Sequence, residues 1–329
     1  MKLTLRDWGT LPDGRQAHLI TLDGCDGTAV TLSDYGAIVQ SIMTRDRNGN
    51  PDDIVLGYDA LEEYVNDDIY LGACAGRCAN RIARAELPLG GKVWPLTANE
   101  NGNTLHGGVG FHKKLWDFDS EGDSVLLRRV SPHLEDGFPG ELSVEVRVTL
   151  TGGRLRFEYT ARSDRDTVCS ITNHSYFNFT GTGTVGGHVL QINASHLTGV
   201  DEKLLPTGKL AEVAGTDYDF RAARNVGMAY LDCNLVLDGG ERPAAVLSEP
   251  ETGRRMELWT DLPGLQLYNG GGIGARIGKG NKHYRAHSGV CLEPQHFPDA
   301  VHHENFPSPL LRAGEVYEKY IEYRFSVDD

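Results

Sequence analysis

Apolar and polar residues alternate over short segments along most of this chain, with the period of two that is typical of strands buried on one face. The clearest example is the segment 141–150, ELSVEVRVTL, in which Leu142, Val144, Val146 and Val148 fall on one face. A Thr-Gly-Gly turn and a second alternating segment, 155–161, follow directly. The pattern therefore predicts a β-hairpin at this point of the chain.

Further short strands with turn signals between them are predicted along the rest of the chain. They cover residues 17–22, 29–32, 37–44, 54–56, 124–130, 256–260, 264–268 and 316–325. We expect 256–260 and 264–268 to pair with each other. One helical turn is predicted at 61–64. Many short strands without helical periodicity indicate an all-β sandwich or barrel. A single domain over residues 1–329 is expected, because no linker or repeat divides the chain.

Composition narrows the possible partners. The formal net charge of -14 argues against nucleic acids and anionic membranes, which both attract basic surfaces. With 40% hydrophobic residues among 329, a sizeable core is available, and no apolar run is long enough to span a bilayer. The N-terminus lacks the apolar segment of a secretory signal, and the six cysteines are expected to be free thiols. A cytoplasmic protein, a monomer or weak homodimer, is expected.

The stretch 289–307, GVCLEPQHFPDAVHHENFP, carries the first candidate for chemistry. Its apolar start indicates the end of a buried strand, and Glu293 follows at the mouth of that strand. A carboxylate there is unfavourable unless it is paired or hydrogen-bonded. Pro294 keeps Glu293 extended, which suits a side chain that must point one way. A solvated surface acid is the alternative interpretation.

A second stretch, 172–181, TNHSYFNFTG, follows a β-like run and places His174 at a strand end. If the two strand ends face each other across a cleft, His174 and Glu293 form an acid–base pair. Nearby carboxylates are then expected to favour the protonated form of His174. Taken alone, His174 is more commonly a structural histidine than a catalyst.

The segment 76–85, GRCANRIARA, forms a local basic cluster in an acidic chain, with Arg77, Arg81 and Arg84. The fixed fork of arginine N–H groups, together with the carboxamide of Asn80, suits the vicinal hydroxyls of a sugar. Ion pairs at an exposed strand edge are the alternative interpretation.

The segment 99–110, NENGNTLHGGVG, places His106 before two glycines, where backbone or ligand can approach closely. It has neither the ending of a Walker A motif nor the GxGxxG spacing of a dinucleotide site. Trp116 lies just beyond as a possible stacking surface. Asp232 and Gln266 each lie beside apolar residues and carry no signal by themselves.

Metal chemistry is not expected, because HExxH and CxxC are both absent. His302 and His303 are consecutive and cannot share one face of a strand. No GxSxG occurs either, so the sequence carries no signature of a serine hydrolase.

Together these segments resemble the aldose 1-epimerases, or galactose mutarotases. The matching motifs run in family order from about residue 34 to residue 325: GRCANRIARAELPLGGKVWPL, NTLHGG, KKLWD, DGFPGELSVEVRVTL, TNHSYFNFTG, GLQLYNG and CLEPQHFPDAVHHENFPSPLLRAGEVY. The resemblance implies the family's large antiparallel β-supersandwich. It also implies Glu293 as general base and His174 as general acid. The sugar-binding positions it implies are Asn80, Arg81, His106, Tyr176, Asp232 and Gln266.

The implied reaction interconverts the α and β anomers of a free hexose, such as glucose or galactose. A base removes the C1 hydroxyl proton, an acid protonates the ring oxygen, the C1–C2 bond rotates, and the ring recloses with the roles exchanged. No redox step or group transfer occurs, so neither a cofactor nor a metal is implied. The expected partner is a small monosaccharide.

Three motifs depart from the common family pattern and leave the preferred sugar open. Asp232-Cys233-Asn234 stands where DHN is usual, 293–296 reads EPQH where ETQN is usual, and 268–271 reads YNGG where YTGN is usual. A mutarotase for another aldose or a hexose phosphate is therefore an alternative. The basic cluster at Arg77, Arg81 and Arg84 is compatible with a phosphorylated substrate. A sugar-binding module without catalysis is a further alternative on the same fold.

Overall fold

Most residues of the computed structural model, which describes residues 2–328, belong to antiparallel sheets or to the turns between them. The largest sheet has nine strands. In spatial order they are Asp117–Glu121, Ser124–Ser131, Leu142–Thr151, Arg154–Ser163, Val316–Val327, Arg254–Thr260, Ala245–Ser248, Val189–Ile192 and Arg224–Asn225. The hairpin expected at 141–161 is confirmed, and its alternating aliphatic residues are buried.

Two smaller sheets complete the main framework. The six-stranded sheet contains, in spatial order, Tyr176–Phe177, Val290–Gln295, Gly264–Tyr268, Asp232–Leu237, Ala194–Val200 and Pro206–Glu212. The five-stranded sheet contains Lys2–Thr10, Gln16–Asp23, Ala29–Ser33, Val39–Arg45 and Pro51–Asp53. One hydrophobic cluster includes side chains from all three sheets, so the sheets pack around a common core. The expected all-β sandwich is confirmed.

Short elements connect these sheets. Five strand pairs are present: Ala73–Ala75 with Thr172–His174, Arg81–Ile82 with Thr104–Leu105, Glu86–Leu89 with Lys92–Pro95, Thr167–Val168 with Leu310–Leu311, and Arg276–Ile277 with His283–Tyr284. Within residues 2–328 the one α-helix is Leu61–Val65. The 3-10 turns are Ala83–Ala85, Phe111–Lys113, Glu135–Gly137, Val185–Gly187, Lys279–Asn281 and Ala300–His302. No helix in this range is long and apolar enough to cross a membrane.

Two predictions about strands are wrong. Residues 256–260 and 264–268 do not pair with each other but belong to the nine-stranded and six-stranded sheets, respectively. Each already has a neighbour on both sides, which leaves no free edge for the other. The strand expected at 54–56 lies instead at Pro51–Asp53, and the Asp53 carboxylate accepts from the backbone N–H groups of Ile42 and Val55. Beyond this strand Val55 forms an isolated bridge with Phe177. The single domain stays a prediction.

Candidate active site

A cavity of about 200 Å³ lies between the six-stranded sheet and the short strand pairs. All eight site residues named from the sequence line it, although their segments are far apart along the chain: Asn80, Arg81, His106, His174, Tyr176, Asp232, Gln266 and Glu293. The fold thus brings together every position that the resemblance carried over.

Strand register explains why His174 meets Glu293. Tyr176 is paired with Cys291 across two antiparallel strands. Continuing this register by two residues on each strand places His174 opposite Glu293 on the same face, because side chains alternate with a period of two. The measured separation between His174 Nε2 and Glu293 Oε2 is 3.6 Å. The strand does not end at Leu292, as expected, but continues to Gln295, so Glu293 has extended backbone within it.

Both members of this pair are withdrawn from solvent, with Glu293 only 2% and His174 only 5% exposed. Glu293 Oε2 accepts no hydrogen bond from any residue in the range 2–328. Burial therefore raises the pKa of Glu293 well above its usual range, and the nearby Asp232 carboxylate adds to the effect. A carboxyl group in this environment therefore retains its proton to a higher pH than an exposed carboxyl group does.

Burial also lowers the pKa of His174 to about 4. The expectation that neighbouring carboxylates would favour protonated His174 is therefore wrong: desolvation of the imidazolium is the largest effect on this ring, and burial also disfavours the charged form of the adjacent Glu293. Burial thus disfavours the charged form of both side chains, so it favours the neutral pair, with the proton on Glu293, over the ion pair with the proton on His174.

Cys291 and Tyr176 lie beside the imidazole of His174. The Cys291 thiol lies 3.6 Å from Nδ1, on the side of the ring away from Nε2. The ring of Tyr176 lies 5.0 Å away at an interplanar angle of 31°. The hydroxyl of Tyr176 donates to the carbonyl of Ile69 at 2.9 Å. Tyr176 therefore presents its ring, and not a free hydroxyl, to the cavity.

Asn80 and His106 are held by each other. The backbone N–H of His106 donates to the carbonyl of Asn80 at 3.0 Å, and the N–H of Asn80 donates to His106 Nδ1 at 3.2 Å. Because Nδ1 accepts, the proton of the neutral His106 ring is on Nε2. Burial keeps the ring neutral by lowering its pKa well below the ordinary value. Gly107 at φ 82° permits this approach, since a Cβ there would collide with the carbonyl of Gly76.

The opposite side of the cavity carries carboxylates and an amide. Gln266 Nε2 donates to Asp232 Oδ1 at 2.6 Å, and the Tyr230 hydroxyl donates to Asp232 Oδ2 at 3.3 Å. Burial raises the pKa of Asp232. Arg81 is paired with Glu100 at 3.2 Å. The cavity thus offers a row of hydrogen-bond donors and acceptors. Among the described lining residues, Arg81 is the one permanently charged cation, and it is already paired with a carboxylate.

The basic cluster expected at 76–85 does not form one donor set. Arg77 is buried and donates five hydrogen bonds, to Ser131 and to backbone carbonyls between 131 and 140. Arg84 is paired with Glu86 at the surface. Only Arg81 of the three lines the cavity. The expected stacking role of Trp116 is also wrong, because its ring is buried against Phe111.

Sequence reasoning missed several residues that line the cavity: Asp68, Ile69, Tyr70, Leu105, Tyr230 and Tyr268. Tyr70 follows two aspartates in a loop, and no pattern around it distinguishes it from a surface tyrosine. Tyr268 could have been found, since it lies two residues after Gln266 and therefore on the same face of the strand. Glu100, which partners Arg81, lay within a segment that was singled out for its glycines.

Ligand atoms of His106, His174 and Glu293 lie within 4.8 Å of one another, a spacing that could suit a metal ion. The tautomer of His106 opposes this use. Its Nδ1 is occupied by the N–H of Asn80, so its Nε2 carries a hydrogen and has no lone pair to offer. The donor set fits hydrogen bonding to hydroxyls better than coordination of a cation.

Comparison with known proteins identifies relatives over nearly the whole chain. The family model for aldose 1-epimerase matches residues 18–324. A galactose mutarotase from Bos taurus is 40% identical, with 92% of each chain covered. An aldose 1-epimerase from Escherichia coli K12 is 34% identical over 95% of this chain and 96% of its own.

Solved structures agree with the sequence relatives. An aldose epimerase homologue from C. elegans superposes with a TM-score of 0.92 at 29% identity, covering 95% of this chain and 100% of its own. A galactose 1-epimerase from Lactobacillus acidophilus NCFM superposes with a TM-score of 0.89 at 27% identity, covering 100% and 99% of the two chains.

Proposed function

The chain belongs to the aldose 1-epimerase family and interconverts the α and β anomers of free hexoses, and we propose that Glu293 and His174 perform this reaction as general base and general acid. Its fold is the family's antiparallel β-supersandwich. One observation carries the assignment of roles: two titratable side chains from separate strands lie 3.6 Å apart in a buried sugar-sized cavity.

Ring opening needs a proton to leave the C1 hydroxyl and another to arrive at the ring oxygen. Glu293 takes the first and His174 gives the second. Burial favours the proton on Glu293, so a bound sugar must shift it to His174 before ring opening. Hydroxyl groups that donate to Glu293 Oε2 provide that shift, because hydrogen bonds to a carboxylate stabilise its charged form.

After ring opening both side chains are neutral, because Glu293 has gained a proton and His174 has lost one. This is the arrangement that burial favours. Rotation about the C1–C2 bond turns the aldehyde, and the C5 hydroxyl attacks its other face. His174 then takes the hydroxyl proton while Glu293 returns its own to the carbonyl oxygen. In each half-reaction one proton thus passes from the sugar to the pair and one from the pair to the sugar, so the total charge of the pair does not change.

His106 orients the sugar and does not carry a catalytic proton. Its neutral ring donates through Nε2–H, and its low pKa prevents a second protonation near neutral pH. Asn80, Arg81, Asp232 and Gln266 bind the remaining hydroxyls. Tyr176 contributes a ring face, since its hydroxyl is committed to Ile69.

The substrates are neutral sugars, of the glucose and galactose type, rather than hexose phosphates. Arg81 lies in the cavity but is paired with Glu100, and Asp232 is close by. A phosphate there would meet more negative than positive charge. We therefore expect glucose 6-phosphate to be a much poorer substrate than glucose, measured by anomer exchange in NMR spectra.

Net charge and the state of the cysteines bear on the partners and the cellular compartment of this enzyme. A formal charge of -14 disfavours nucleic acid and anionic membranes as partners. All six cysteines are free thiols, five of them buried, as is usual in a reducing compartment. We infer a cytoplasmic enzyme that acts on monosaccharides as a monomer or weak homodimer.

Polarimetry on freshly dissolved α-D-glucose and α-D-galactose tests the assignment. Glu293→Gln and His174→Ala should each lower kcat by about 10²–10⁴-fold, the usual contribution of general acid–base catalysis. Both variants should remain folded by circular dichroism. Wild-type rates in both variants would contradict the assigned roles. A wild-type protein that binds sugars but accelerates neither would indicate a binding module.

A further inference from the structure

Tyr70 lines the cavity in an unusual backbone conformation. It lies in the loop between the helix Leu61–Val65 and the strand Ala73–Ala75. Its φ is 61°, in the left-handed region that aromatic residues rarely adopt. Such a conformation costs about 1–3 kcal/mol and persists only where surrounding contacts impose it, which happens most often at functional sites.

Contacts from three distant segments impose that conformation on the loop. Lys113 Nζ donates to the carbonyls of Tyr64, Val65 and Asp67 at 2.9, 3.0 and 2.7 Å. The Tyr176 hydroxyl donates to the carbonyl of Ile69, the residue directly before Tyr70.

The third segment supplies Arg276. Its guanidinium pairs with Asp68 at 2.8 Å and with Asp67 at 3.7 Å. Lys113, Tyr176 and Arg276 all bind the loop through groups other than the Tyr70 side chain, so the aromatic ring itself is left to face the cavity.

The ring of Tyr70 contacts three imidazoles. It lies nearly parallel to His174, at 5.8 Å and 25°. It is tilted against His106, at 4.6 Å and 58°, and edge-on to His112, at 4.7 Å. Its hydroxyl accepts a long bond of 3.5 Å from Asn99 Nδ2. Burial raises the pKa of Tyr70 to about 12, so the phenol stays neutral and is no proton carrier near pH 7.

We propose that Tyr70 is a positioning residue for His174, whose ring fixes the orientation of the imidazole and keeps water from its face. This inference rests on the proposed function, in which His174 gives a proton to the ring oxygen. An imidazole free to turn about its side-chain torsions would direct Nε2 toward the sugar only part of the time, and misplacement by about 1 Å can cost a hundredfold in rate.

The same ring contributes to the acidity of His174. The groups that face this imidazole are the Glu293 carboxyl, the Cys291 thiol, the His106 ring and the phenols of Tyr70 and Tyr176. Burial among them lowers its pKa to about 4. Removal of the Tyr70 ring admits water and should return this pKa toward its ordinary value.

Three substitutions at position 70 separate the ring from the backbone. Tyr70→Phe keeps the ring, Tyr70→Leu removes it at similar volume, and Tyr70→Gly removes it while relieving the left-handed φ. Tyr320→Leu, in the nine-stranded sheet, is the control for loss of a tyrosine elsewhere. Each purified variant is assayed for glucose mutarotation from pH 3.5 to 8, and His174 is titrated by NMR.

We expect Tyr70→Phe and Tyr320→Leu to match the wild-type kcat. Tyr70→Leu and Tyr70→Gly should lower kcat about tenfold or more, with KM changed less, and should move the acid limb of the profile and the His174 titration to higher pH. Tyr70→Gly decides the question if Tyr70→Leu folds poorly. An unshifted acid limb and wild-type kcat in the folded variants would overturn the inference. Full activity of Glu293→Gln would instead overturn the proposed function.

Discussion

At the scale of one residue, the buried carboxyl of Glu293 lowers the stability of the folded protein. Its carboxyl is buried, and Oε2 has no partner among the described residues. Above pH 4.5 an unfolded chain releases this proton, whereas the folded chain retains it until its raised pKa is reached. Unfolding is therefore increasingly favoured as the pH rises through that window. The proposed catalytic base therefore lowers the stability of the folded protein in this pH window.

Replacement of Glu293 by Gln should consequently stabilise the protein while it lowers the activity. Gln does not ionise, so the penalty above pH 4.5 disappears. We expect the Tm of Glu293→Gln to lie above that of the wild-type protein at pH 8, because burial raises the pKa of Glu293 in the folded chain. The gain should shrink toward pH 5.

The control for this measurement is Glu304→Gln, which changes an exposed acid in the same segment. It should leave the Tm unchanged at both pH values. A Tm for Glu293→Gln that falls at pH 8, or a gain that grows toward pH 5, would show that Glu293 is ionised and well solvated in the folded protein.

The pH dependence of kcat should reflect one proton shared by the pair. Below the His174 pKa of about 4 the pair gains a second proton and loses its base. Above the raised pKa of Glu293 it loses its last proton, and with it the acid. We therefore expect a constant kcat from about pH 5 to neutrality, followed by an alkaline fall. An acid limb near pH 6.5 would contradict the burial of His174.

Sequence alone located Glu293 and His174 but not their protonation. The motifs identify residue types, whereas the direction of a pKa shift depends on how many groups surround the side chain in three dimensions. The same limit explains why Tyr70 was missed: its importance comes from three imidazoles that the fold gathers around it.

At the scale of elements, Arg77 shows how a sequence cluster can mislead. Its guanidinium is buried and donates five hydrogen bonds that fasten the segment before Arg81 to residues 131–140. Burial lowers its pKa to about 10, yet it stays charged at neutral pH. Arg77 therefore supports the segment that carries Asn80 and Arg81 and does not line the cavity.

Substitution of Arg77 by Lys should destabilise the protein by about 2–3 kcal/mol, because an ammonium cannot reproduce the planar fork and leaves buried acceptors unpaired. Arg84→Lys, in an exposed pair with Glu86, should change stability by less than about 0.5 kcal/mol. Urea unfolding midpoints compare the two. Equal midpoints would show that the bonds of Arg77 contribute no more than a surface ion pair.

The sequence predicted the strands that have one buried face, but it did not predict which strands pair with each other. Alternation in 142–151 fixed which side chains face the core. The partners of 256–260 and 264–268 could not be predicted from alternation, because it says nothing about which neighbouring strand supplies the hydrogen bonds. That choice places Gln266 beside Glu293 and so forms one wall of the cavity.

At the scale of the whole molecule, the fold brings together Glu293 and His174, the proposed base and acid, from segments more than a hundred positions apart. The register of Tyr176 with Cys291 sets His174 opposite Glu293, and the short pair Arg81–Ile82 with Thr104–Leu105 adds His106. The all-β sandwich could be predicted from turn spacing, and the family from ordered motifs. From the sequence, the proximity of His174 and Glu293 was a hypothesis, and the 3.6 Å separation of their side chains confirms it.

The central claim is that His174 and Glu293 act as one unit on one hemiacetal. The most direct test compares glucose anomer exchange in His174→Ala, Glu293→Gln and the double variant, each shown to be folded. If the pair acts as a unit, the double variant should be no slower than the slower single variant, since the first substitution already removes the shared proton exchange. Losses that multiply in the double variant would show that the two side chains act independently, and would contradict this account.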